Sequence, residues 1–151
     1  MSKKVWGNIT WKLFHTMSLR MKECSPDQIQ RAVECIKIIC KNLPCPLCSN
    51  EATTLLKKYN IKQIQNIEDF KRFIYEFHQK VNLKLKHESI PYDQVESLHP
   101  TNLNTILNEF FKIYNQIKHN TNMMLYQFHR DIILTKTRAY FIEHRDLYRF
   151  D

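Results

Sequence analysis

A chain of 151 residues with one glycine, Gly7, has few ways to fold. Average usage would supply about ten. Glycine is the residue that enters left-handed turns freely and lets a backbone close on a phosphate. Its scarcity excludes a P-loop, a glycine-rich dinucleotide fingerprint and a kinase-type phosphate loop. A turn-rich β-sandwich is disfavoured for the same reason, because the five prolines cannot stand in for glycine at positive φ. Any nucleotide must then be held by side chains and helix surfaces, and the lack of an alternating strand pattern anywhere in the chain gives an all-α reading.

Apolar spacing supports that class. Residues 8–21 read as a first helix starting just after Gly7, with Trp11, Phe14, His15 and Ser18 on one face. Ser25-Pro26-Asp27-Gln28 supplies an N-cap serine, a proline at the first helical position and the glutamine of a capping box. The second helix then runs to about residue 42. Pro44 and Pro46 end it, and Pro46 opens a third helix to about residue 58, with Cys45 at its N-cap. Asn66 caps a fourth helix, to about residue 86. Pro91 precedes a short helical turn. Thr101 is expected to cap a fifth helix whose face holds Leu103, Ile106, Leu107, Phe110, Tyr114 and Ile117. Residues 119–122 read as a linker and 123–148 as further helix. The expected organisation is a body over residues 1–115 and a helical extension over 116–151.

All five cysteines fall in the first third of the chain, at 24, 35, 40, 45 and 48. That is not the spread of a secreted disulfide framework. Cys45-Pro46-Leu47-Cys48 places two thiols at a helix start, where the positive dipole end favours thiolate. Two intervening residues let the sulfurs close a reducible disulfide, which gives a redox reading. The rival is a zinc-binding helical interaction module using Cys40, Cys45, Cys48 and His78. Its Cys40-x4-Cys45 spacing is unusual for zinc, and no second C-x-x-C exists. Cys35 and Cys40 point about 140° apart on one helix and read as buried apolar thiols. Cys24 reads as exposed, free or paired outside the chain.

The fourth helix carries a second signal. Phe70, Phe73, Ile74, Phe77, His78, Val81, Asn82 and Leu85 form one stripe, so a histidine and an asparagine sit in an apolar face four residues apart. Burying them costs free energy unless they find partners. Trp11 and His15 repeat the pairing of polar ring and apolar plate on the first helix. A planar heterocycle with hydrogen-bonding edges suits both faces.

The net charge of +8 is scattered along the chain, which reads as a solvated basic surface with no nucleic-acid partner. No segment approaches the length of a membrane span. Residues 1–7 lack the apolar core of a secretory signal, so a cytosolic or nuclear protein is expected.

In order, Trp11-x-x-x-His15, Cys45-x-x-Cys48 and His78-x-x-x-Asn82, with Val81 and Lys84, resemble the Erv/ALR-type FAD-linked sulfhydryl oxidases over about residues 5–100. Leu43-Pro44-Cys45-Pro46-x-Cys48 is most similar to the small members encoded by large cytoplasmic DNA viruses, of mimivirus type. The resemblance implies a four-helix bundle with a short fifth helix, here followed by an additional C-terminal helical segment. It implies noncovalent FAD at the bundle mouth and a homodimer, with no metal. Trp11, His15, His78 and Asn82 would contact the flavin nucleotide, beside Gly7, Asn8 and Val81, and Lys84 would meet the pyrophosphate. Cys45 would take the attack of a client thiol, and Cys48 would pass electrons to FAD and on to O2, giving hydrogen peroxide.

The chain departs from the family pattern in four places. Asn8 replaces an arginine that is common there. No cysteine follows Cys48, so the second structural disulfide is absent. The tryptophan-rich segment that covers the adenine is missing, leaving Tyr92, Phe111 or Tyr114 as substitutes. No C-x-x-C lies on a terminal arm, so Cys45–Cys48 would meet a thiol-containing client or a thioredoxin-like relay protein directly, unless Cys24 or Cys40 relays. The expected location is the host cytoplasm at a viral assembly site, and the virion, or the mitochondrial intermembrane space for a cellular protein. Residues 116–151 lie outside the resemblance. They read as helix covering the bundle or a dimer face. Arg130, Lys136, Arg138, Arg145 and Arg149 among aromatics make membrane-surface contact a weaker alternative.

Overall fold

Among the described residues there are six α-helices: α1 (Lys3–Arg20), α2 (Pro26–Lys41), α3 (Pro46–Lys57), α4 (Ile67–Leu85), α5 (Leu103–Gln116) and α6 (Met123–Glu143). This computed structural model describes residues 3–88, 90–95, 102–117 and 123–150, with side chains from residue 126 in the last stretch. Among the described residues the extended pairing is one antiparallel bridge, Met21 with Tyr148. The all-α class read from the apolar spacing, and the helical bundle implied by the resemblance, are what form among the described residues.

Local chemistry sets the helix ends. Ser25 accepts from the Gln28 amide while the Gln28 side chain accepts from the Ser25 amide, completing the capping box. Such a cap is worth about 1 kcal/mol. Asn66 caps α4 by accepting from the Asp69 amide at 2.8 Å. Lys86 ends α4 in the left-handed region, at φ 59°, where a glycine would ordinarily sit. Two expectations need correcting. Asn102, not Thr101, caps α5, accepting from the Thr105 amide at 2.8 Å; Thr101 and the linker 119–122 lie outside the described residues. Gly7 does not precede the first helix but lies inside α1. The buried Trp6, Ile9 and Thr10 around it anchor that turn in the bundle, and packing outweighs glycine's weak helix propensity.

Helix α1 packs chiefly on α5 and then on α4, while α2 packs on α3 and α6. Thr10 ties α1 to α5. Its hydroxyl donates to the Trp6 carbonyl at 2.6 Å, so its oxygen accepts the Tyr114 hydroxyl at 2.7 Å. Both side chains are buried and satisfied. On α6, Tyr126, Ile133, Leu134, Thr137, Tyr140 and Phe141 make one buried face with helical spacing. Their apolar members join the same core cluster as α1–α5. The last residues strap the far end. The Lys22 amide donates to the Leu147 carbonyl at 2.7 Å, and the Arg149 amide donates to Arg20 at 2.8 Å. No described helix is long and apolar enough to cross a membrane.

Candidate functional site

Between α1, the end of α2, α3 and the C-terminal half of α4 lies a cleft of about 640 Å3. That is within the range of cofactor sites. Each wall follows from a feature of its helix. α1 presents Gly7, Asn8 and Trp11, and α4 presents His78, Val81, Asn82 and Lys84. The stripe on α4 explains this. Phe70, Phe73, Ile74 and Phe77 are buried against the bundle, and the same face continues past them into the cleft.

The Trp11 indole and the His78 imidazole stack face to face, with centroids 4.0 Å apart and planes 9° apart. Phe77 meets the indole edge-on at 5.1 Å. Behind His78, His15 is buried, and its Nε2 lies 2.8 Å from His78 Nδ1. One of these nitrogens carries the proton and the other accepts it. His15 is not on the cleft wall. It meets the two rings of the wall from behind, through this contact with His78 and a tilted ring contact with Trp11. Asn82 is buried, and its amide makes one long hydrogen bond, 3.5 Å to the Glu88 carbonyl. A buried amide held that loosely is available to a ligand edge.

Cys45 and Cys48 form a disulfide with Cα atoms 5.2 Å apart. Pro46 biases the preceding Cys45 to extended backbone, at φ −110° and ψ 111°, and itself starts α3. The Cys45 sulfur caps the helix by accepting from the Cys48 amide at 3.2 Å. Cys48 lines the cleft and Cys45 does not. The disulfide therefore has a cleft side and an outer side, and both cysteines are half-buried.

Cys40 also lines the cleft, but burial pushes its thiol far above the ordinary range. Burial likewise pushes Cys35 up to about 12, against a smaller opposing hydrogen bond from Thr137. The four zinc candidates do not gather. Among the described residues no group of three or more His, Cys, Asp or Glu side chains is placed to hold a metal.

Some cleft residues escaped the sequence reading. Trp6 contributes a second indole to the wall, and Lys3, Lys4 and His87 line the same cleft as Lys84. Trp6 falls on the face of Thr10, one turn before the pattern recognised from Trp11, so an earlier helix start would have revealed it. None of the proposed adenine covers reaches the cleft. Tyr114 is buried against Thr10, Phe111 lies under Arg138, and Tyr92 lies under Arg72.

The fold and site thus define a helical bundle with a disulfide opening onto an aromatic-walled cleft. The Erv1/Alr family model matches residues 8–100, and the chain belongs to that family. A similar protein is the FAD-linked sulfhydryl oxidase of African swine fever virus, Tick/Malawi isolate. It is 28% identical over 104 residues, which cover 67% of this chain and 86% of that protein. The FAD-linked sulfhydryl oxidase of the Pig/Kenya isolate is 26% identical over 96 residues, covering 62% and 79%. No solved structure gives a significant match.

Proposed function

We propose that this Erv1/Alr-family chain is an FAD-linked thiol oxidase that makes disulfides in other proteins. The observation that carries the reading is that Cys48 shares a cleft with the stacked Trp11–His78 pair. The names of the viral relatives support it.

The residues present fit the cofactor. Aromatic plates suit a flat heterocycle, the loosely held Asn82 amide suits its hydrogen-bonding edge, and Lys84 with Lys3, Lys4 and His87 suits a pyrophosphate. Gly7, Asn8 and Val81 complete the walls. A Cβ at Gly7 would meet nothing within 4 Å, so glycine leaves cleft volume open there rather than relieving a clash. When bound, FAD accepts two electrons from a dithiol and delivers them to O2.

The chain's own part is thiol–disulfide exchange. A client thiolate attacks the Cys45 sulfur from the outer side. A client–Cys45 bond forms, the Cys45–Cys48 bond breaks, and Cys48 leaves as a thiolate facing the cleft. Its place in the first turn of α3 favours that charge. A second client thiolate then attacks the client sulfur of the mixed disulfide. The client disulfide departs, Cys45 is released as a thiolate, and the pair holds two electrons. His15 orients His78 throughout.

Residues 1–115 form the oxidase body in this reading, and 116–151 form an extension. A homodimer that meets a client or a thioredoxin-like relay directly, in the host cytoplasm of a virus, is the setting we assign. The test is thiol-dependent O2 uptake by the purified full chain. Cys45→Ala and Cys48→Ala should each abolish it, and uptake retained in either would overturn the mechanism.

A further inference from the structure

Helix α6 lies beyond the span matched by the family model, yet it reaches the elbow that carries the disulfide. The contact is specific. His129 Nδ1 lies 2.6 Å from Asn42 Oδ1 across a separation of 87 residues. Asn42 is the C-cap of α2, and its Nδ2 donates to the Ile38 carbonyl at 2.7 Å. That bond fixes which end of the amide faces α6. The oxygen does, and it can only accept, so His129 carries its proton on Nδ1.

The elbow is held by α3 as well as by α6. From α3, the buried Ser49 hydroxyl accepts from the Leu43 amide at 2.9 Å, and the Ser49 amide donates to the Cys45 carbonyl at 3.0 Å. Pro44 and Pro46 stiffen the segment between. Asn42 is thus a fixed post three residues before Cys45. We infer that His129 is a positioning residue for the Cys45–Cys48 pair: by fixing Asn42 it sets the α2–α3 elbow that keeps the two sulfurs adjacent. This rests on the redox reading of that pair.

The thermodynamic consequence follows from effective concentration. Holding two thiols together favours their disulfide over reduction by an external thiol. Freeing one end of the elbow lowers that effective concentration and makes the disulfide easier to reduce. His129 does not line the cleft, so its effect falls on the equilibrium of the pair rather than on the chemistry of the flavin site.

The test measures the thiol–disulfide equilibrium of the full-length holoprotein against glutathione, without oxygen, by trapping thiols and weighing the products. His129→Leu keeps side-chain bulk and removes the donor. We expect its equilibrium to shift toward the dithiol by about threefold, about 14 mV at 29.6 mV per tenfold. His129→Asn places an amide donor where Nδ1 was, and should restore the wild-type value. Asn42→Ala removes the acceptor instead and should reproduce the shift should His129→Leu not fold. An unchanged equilibrium in the donor or acceptor variant, or an equal shift in His129→Leu and His129→Asn, would overturn the assignment. The equilibrium can be read with or without oxidase activity. Loss of the oxidase reading would appear separately, as no O2 uptake by the wild type.

Discussion

The cysteines on either side of Asn42 have opposite fates. Cys35 and Cys40 lie within α2, buried, as free thiols. Cys45 and Cys48 lie five and more residues further on, half-buried and joined. The residue type is the same, so the difference is positional. Inside a helix on a core face, a thiolate would lose its hydration, which at Cys35 outweighs the smaller help from Thr137, and the thiol stays protonated. At a helix start, free amides point at the sulfur, and one of them already donates to Cys45. Two prolines create that start only a few residues beyond the inert thiols.

The largest effect should come from exchanging the two sets. Cys48→Ala or Cys45→Ala should reduce thiol-dependent O2 uptake to background. Cys35→Ala should stay within about twofold of wild type, because that thiol touches neither cleft nor disulfide. A comparable loss in Cys35→Ala would break the contrast. Next in size is alkylation of the reduced chain. At pH 8 a thiol with a pKa of about 12 is thiolate in about one molecule in ten thousand. Cys45 should therefore label orders of magnitude faster than Cys35, as read by peptide mass spectrometry; equal rates would contradict the burial argument.

A smaller effect concerns stability against pH in the reduced chain. Cys35 has an ordinary value of 9.0 and is raised to about 12 when folded. Between those values the unfolded chain has lost a proton that the folded chain keeps. Stability must therefore fall as pH rises through that window. Cys35→Ala should flatten the fall by at most about 1.4 kcal/mol per pH unit in denaturant titrations. A steeper slope in the variant would give the wrong sign. Smallest of all, Cys45→Ser under reducing conditions should alter stability by less than about 1 kcal/mol, since serine caps α3 in place of the sulfur. A larger loss would mean that the Cys45 sulfur does more than cap.

Most features decided by a local rule were legible in the sequence, the α5 cap, Asn102 rather than Thr101, being the exception. The Ser25 capping box, the Cys45 N-cap between two prolines, the Asn66 cap and the buried face of α4 all depend on residues within four positions of one another. What escaped depends on tertiary contact. Gly7 looks like a helix boundary until the burial of Trp6 and Thr10 carries α1 through it. That Cys48 lines the cleft and Cys45 does not cannot be read from the C-x-x-C spacing; only the family resemblance implied that order. Tyr148 bridging Met21, and His129 reaching Asn42, join positions more than 80 residues apart and leave no periodic trace. Tyr114 has the composition of a ring that covers a ligand, but its hydroxyl is committed to Thr10.

The central claim is that Cys48 delivers electrons into the aromatic cleft. It is tested most directly by the visible spectrum of the purified full chain, mixed with a dithiol in the absence of oxygen. The wild type should be yellow and should bleach, while Cys48→Ala should be equally yellow and should keep its colour. A colourless wild type, or a Cys48→Ala variant that bleaches as fast as wild type, would contradict the claim.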